Sequence, residues 1–170
     1  STLAPLGLDW QNEIKMNPQI PGYRYYSGSM DWGTLTYTSK VDVLDLESEI
    51  QIYFSNNRIT NAILIFGPRG LNDFNCILKY KQLTSFLSDK YGTLSYMREV
   101  KDPIVEDLIT TTPCHTVFLG LYEVSSYWNK KGFLVEMKLL GDSEGYYIEI
   151  YYSPKNKLKK TKKTNILKKL

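Results

Sequence analysis

Ile50-Gln51-Ile52-Tyr53-Phe54-Ser55-Asn56-Asn57-Arg58-Ile59 is the stretch that decides the fold class. In its first half Ile50, Ile52 and Phe54 alternate with Glu49, Gln51 and Tyr53, a period of two that sends one set to each face of a strand. Asn56 and Asn57 tolerate the positive φ that a tight hairpin turn demands, and apolar residues resume from Ile59 to Phe66. Two antiparallel strands joined by a β-turn at Ser55-Asn56-Asn57-Arg58 follow from this pattern.

Upstream, residues 34–38 alternate as a strand and residues 41–46 add the pattern of another. The first 30 residues, broken by Pro5, Gly7, Pro18, Pro21, Gly22 and Gly28, read as a lead-in packed on the domain. Within it only residues 8–16 suit a short helix, capped by Asp9 and ended by Pro18.

Downstream, Gly67-Pro68-Arg69-Gly70 reads as a break in the sheet, and the period then changes to that of a helix. Ile77, Tyr80, Leu83, Phe86 and Leu87 fall on one stripe, so the main helix is expected over residues 73–91, with Asn72 or Asp73 as cap and Gly92 as stop. Residues 93–97 suit a short strand, and residues 101–113 a loop or broken helix. Strands return at 118–128, 133–139 and 146–152, separated by turns at 129–132 and 141–145. The expected fold class is α+β: an antiparallel sheet of about five to seven strands, the main helix packed on one face, and a short amino-terminal helix. Residues 1–154 make one domain of ordinary size, and residues 155–170 a lysine-rich carboxy-terminal tail.

The net charge of +3 conceals an uneven distribution. Residues 155–170 hold eight lysines and no acid, which leaves 13 basic against 18 acidic side chains in the body, a net of −5. A nucleic-acid role therefore cannot rest on the body being basic; only the tail has that sign. No apolar run approaches the roughly 18 to 20 residues of a membrane span.

A strand, turn and strand rich in Tyr and Phe, a helix ending in Lys90-Tyr91-Gly92, then Tyr127-Trp128 leading into two strands that close with Tyr151-Tyr152, resembles a recurrent small α+β domain of exported bacterial proteins and lipoproteins. The outer-membrane assembly lipoproteins and β-lactamase-inhibitor proteins are related in shape. The resemblance covers residues 46–153 and rests on Asp89-Lys90-Tyr91-Gly92 and Tyr127-Trp128. It implies a periplasmic or membrane-anchored location and binding of a protein partner rather than catalysis; a cytoplasmic location is the alternative.

Several residue sets invite a chemical reading. Gly67-Pro68-Arg69-Gly70, between strand and helix, has the context of an anion-binding loop, but Pro68 removes a donor and no Lys-Ser/Thr follows. Cys114-His115 would need the imidazole to face the thiol, which adjacent residues rarely do. Glu13, Asp31, Asp42, Asp45, Glu47, Glu49, Glu136, Glu144 and Glu149 are carboxylates enough for a small hydrolase, but the sequence gives no pair at a defined separation; Glu136 and Glu149 are expected to approach across neighbouring strands, where the wet face of a sheet accounts for both. Cys76 and Cys114 either form one disulfide in an oxidising compartment or are separate buried thiols in a reducing one. With His115 the sole histidine and no Cys-x-x-Cys, neither metal nor cofactor is expected.

The strongest lead is aromatic. Fourteen tyrosines cluster near the strands, and Tyr127, Trp128, Tyr147 and Tyr151 are candidates for a binding face offered to a protein or to a second copy. The second lead is the tail, where Lys157, Lys159, Lys160, Lys162 and Lys163 have the charge to meet nucleic acid or an anionic membrane surface.

Overall fold

The structure, a computed structural model, describes residues 5–130 and 132–155. The strands are β1 (Tyr23–Ser29), β2 (Thr34–Ser39), β3 (Ser48–Ser55), β4 (Arg58–Leu71), β5 (Tyr96–Lys101), β6 (Tyr122–Lys130), β7 (Phe133–Asp142) and β8 (Gly145–Pro154). All eight join one antiparallel sheet in the order β1-β2-β3-β4-β8-β7-β6-β5. The chain thus makes two four-stranded meanders and sets the last strand of each, β4 and β8, side by side at the centre. Among the described residues three α-helices complete the fold: α1 (Cys76–Tyr91), α2 (Glu106–Thr111) and α3 (Pro113–Phe118).

Topology places the helices. After β4 the chain must travel from the middle of the sheet to its far edge, where β5 lies, and α1 makes that crossing over one face. Its side chains Tyr80, Leu83, Leu87 and Tyr91 are buried, whereas Phe86, expected on the same stripe, is 63% exposed. The helix opens at Cys76 rather than at residue 73, because the Asp73 carboxylate accepts from the Asn75 N–H (2.8 Å) and holds the preceding turn. Gly92 ends it with φ 87°.

The β3–β4 hairpin forms as the Asn-Asn pair predicts, with Asn56 at φ 52° and Asn57 at φ 59°. Other expectations are corrected. Residues 41–46 are not a strand: Leu44 and Asp45 have positive φ, and Val43 and Leu46 exchange two hydrogen bonds to make the tip of the β2–β3 connection. Gly67-Pro68-Arg69-Gly70 does not break the sheet but is an excursion inside β4, between the pairs Phe66↔Ile148 and Leu71↔Tyr146. There the backbone meets the β7–β8 turn so closely that a Cβ on Gly70 would strike the Glu144 carbonyl, and one on Gly145 the Leu71 carbonyl.

Strands exceed the expected number because the lead-in supplies one. Tyr23–Ser29 is an edge strand, exposed on both faces and bulged between Tyr25 and Ser27, so it has no burial alternation to read. Residues 8–16 are not helical. Asp9 does cap, accepting from the N–H groups of Gln11 (3.0 Å) and Asn12 (3.1 Å), but it closes a turn only. The segment runs on irregularly because Leu8, Trp10 and Ile20 fill the part of the sheet that α1 does not reach. Trp10 meets Phe133 edge-on at 5.3 Å. β6 starts at Tyr122 rather than 118, since Pro113–Phe118 is α3.

Cys76 and Cys114 are bonded, joining the first turn of α1 to α3, with both cysteines buried in the core. No helix among the described residues is long and apolar enough to cross a membrane.

Candidate functional site

Among the described residues the cover lies on one face only. Tyr80 shares a hydrogen bond with Ser126 (2.6 Å), Trp128 donates to Ser88 (3.3 Å), Phe118 stacks on Tyr146, and the Tyr37 hydroxyl donates to the Pro18 carbonyl. All of these strand residues share a side with Ile52, Leu64, Val135, Met137 and Ile150, which are 0–9% exposed. Side chains one position away point to the other face, which none of these covering elements contacts.

Strand register turns that uncovered face into ordered rows. One runs Thr36, Gln51, Ile63, Tyr151, Glu136, Tyr127, Tyr96, each directly opposite the next across seven strands. The adjoining row runs Thr38, Glu49, Ile65, Glu149, Lys138, Ser125, Arg98. Away from the β5 edge these side chains are half-buried, and the short Ser125 is buried, because long neighbours in register shade one another.

Lateral bonds fix them. The Tyr151 hydroxyl donates to Glu149 (2.7 Å) and that of Tyr53 to Gln51 (2.9 Å). Lys138 reaches Glu136 (3.3 Å) while its ammonium sits 5.5 Å from the Tyr151 ring centre, and the rings of Tyr127 and Tyr96 lie 5.6 Å apart. Burial, and then the bond to the Glu149 carboxylate, push the Tyr151 phenol well above its usual value. Desolvation raises the Glu49 carboxyl, with no cation among the described residues offsetting it.

Of the residues singled out from sequence, Tyr127, Tyr147 and Tyr151 share this face, Tyr147 bonding Asp142 at 3.2 Å. Trp128 points the other way, fully buried beneath α1, because successive residues of β6 alternate. Lys157, Lys159, Lys160, Lys162 and Lys163 lie outside the described residues. Glu136 and Glu149 are diagonal neighbours with Lys138 and Tyr151 between them, and each carboxylate is engaged by one of these two.

The other candidates resolve into structure. The Cys114 sulfur is held in the disulfide while His115 is exposed beside it. In the β4 excursion, the Arg69 guanidinium is taken by both oxygens of Glu47 (2.7 and 2.6 Å) and the Gly67 N–H by the Glu47 carbonyl. No group of three or more His, Cys, Asp or Glu with metal-binding geometry occurs among the described residues. A cleft of about 450 Å³ opens between α1 and the β5–β6 edge, where Ile77, Met97, Tyr122 and Val124 meet Lys81 and Glu99.

Tyr96, Tyr53, Gln51 and Lys138 belong to the face but are not among the candidates that the sequence offers. Each occupies an alternate strand position, a signal that was present. The register placing them in one row was not readable without the fold. No protein-family model, curated protein or solved structure matches the chain.

Proposed function

We propose that this chain is a non-catalytic binding domain that works outside the reducing cytoplasm and holds a protein segment on the uncovered face of its sheet. The observation that carries this reading is the row from Gln51 through Tyr151 and Glu136 to Tyr96. It combines rigid rings with half-buried charged and amide groups over six adjacent strands. Tyrosine suits such a surface because it offers apolar area and a hydrogen bond at little cost in conformational entropy. Lateral bonds between Tyr151 and Glu149 and between Lys138 and Glu136 preorganise the side chains, which lowers the entropy lost on binding. The sign of the face favours a cationic segment, as carboxylates outnumber ammonium groups in its central rows. Export is supported by the buried Cys76–Cys114 disulfide, a bond that persists in oxidising compartments.

The test places a photo-reactive phenylalanine analogue at Tyr127 on the uncovered face, or at Phe86 on the exposed side of α1, and compares adducts formed in envelope extracts. A discrete adduct from position 127 that disappears in Tyr151→Ala is the expected result. Equal labelling from both positions, or none from position 127, would sink the reading.

A further inference from the structure

We infer that residues 156–170, the lysine-rich end of the chain, dock on the uncovered face of the same molecule's sheet, with their ammonium groups against Glu49, Glu136 and Glu149. This rests on the reading of that face as a binding surface and names its resident occupant.

Charge complementarity comes first. Between β2 and β6, among the described strand residues, the face carries Glu49, Glu123, Glu136 and Glu149 against Lys138, with Arg24 and Arg98 placed on the two edge strands. Lys138 is already committed to Glu136 and the Tyr151 ring. The Glu49 carboxyl is desolvated without a compensating cation among the described residues, a deficit that a lysine brought beside it would relieve. Residues 156–170 hold seven lysines and no acid, and they follow a body of net charge −5.

Position comes second. The segment leaves from the end of β8, a central strand that itself carries Glu149 and Tyr151 on this face, and Lys155 N–H is tied to the Gly132 carbonyl. From Pro154 back to the level of Glu149 is about 17 Å along the strand, and eight strands span about 35 Å. Fifteen residues reach about 50 Å when extended, enough to turn back and cross the acidic rows. The apolar residues of the segment, Leu158, Ile166, Leu167 and Leu170, find a match in Ile63, Ile65 and the tyrosine rings. Nucleic acid is the poorer match, since its phosphates would be repelled by the face from which the lysines emerge.

Zero-length carbodiimide cross-linking of the full chain, with peptide mapping of the monomer fraction, tests the docking. Lysines 157–169 are expected to join Glu49, Glu136 or Glu149, with yields falling at least about fivefold in 0.5 M salt and in the Glu136→Gln/Glu149→Gln variant. Cross-links confined to Asp31, Asp42, Asp89 or Glu144, or found only between two copies, would overturn it. A second measurement separates this inference from the reading beneath it. A synthetic peptide of residues 156–170 is titrated against wild type and against a variant whose seven lysines after Lys155 are changed to Gln. Relief from the tethered competitor should make the peptide bind the variant about tenfold more tightly. Equal affinity for both proteins overturns docking in cis and leaves the face as a binding surface; binding to neither, with no cross-links, removes both.

Discussion

Along β8, Ile148, Ile150 and Tyr152 enter a layer where none is more than 4% exposed, while Tyr147, Glu149 and Tyr151, one position away, stand on a face that the covering elements leave open. The same strand, and the same hydrogen-bond ladder, serve two unlike surfaces. On the covered side, stability comes from apolar area removed from water beneath α1, α3 and the amino-terminal segment. On the open side, Gln51, Tyr53, Glu136, Lys138, Glu149 and Tyr151 are satisfied by lateral neighbours, so the central rows are ordered without being dry. Order on an exposed surface costs conformational entropy that no burial repays, which is what makes the open face a candidate for binding and the covered face not.

Removing what holds the cover should have the largest effect. The Cys76–Cys114 link closes 38 residues, and replacing both cysteines with Ser should lower unfolding free energy by about 4 kcal/mol in the chain-entropy estimate. Chemical denaturation with and without reductant checks this; a loss below about 1 kcal/mol would mean that α1 and α3 hold their places unaided.

The two faces can then be compared directly. Ile150→Ala should cost about 3 kcal/mol, because it leaves a cavity under the helices, whereas Ile63→Ala on the open face should cost about 1 kcal/mol. Equal losses in denaturant melts would mean that the second face is covered in solution, and added salt would show whether the cover is the lysine segment.

The smallest effect shows only in alkaline solution. Burial pushes the phenols of Tyr37, Tyr80 and Tyr91, all on the covered side, up to about 12. Unfolded phenols ionise near 10, so the folded state holds more protons between those values; the contribution is complete below pH 10 and lost as pH rises toward 12. Tyrosinate absorbance should therefore show a late set of phenols that ionise together with the loss of far-UV ellipticity. Titration of all 14 tyrosines in a single early step, with ellipticity intact, would contradict the burial.

Much of the fold was legible because local rules and tertiary context agreed. The Asn56-Asn57 turn could be read from its tolerance of positive φ, and the alternation of Ile50, Ile52 and Phe54 from the need to bury one side of β3. The failures lie where a neighbour overrode the local signal. Residues 8–16 had a capping Asp and apolar spacing but were drawn out over the sheet. The β4 glycines looked like a terminator because the turn packed against them, at Glu144, is 74 residues away from Gly70 in sequence. Of the site, Tyr127, Tyr147 and Tyr151 were visible as residues, but their grouping with Tyr96, Glu136 and Lys138 was not.

By itself, then, the sequence determined the antiparallel class, the hairpins, the main helix and the opposed charges of body and tail, all properties of spacing and composition over short distances. Only the tertiary structure decided that β4 and β8 lie side by side, that the described residues cover one face and leave the other open, and that Trp128 and not Tyr127 is on the covered side. The reason is physical: period-two alternation says that a strand has two faces, but which of them is dry depends on where the rest of the chain can reach.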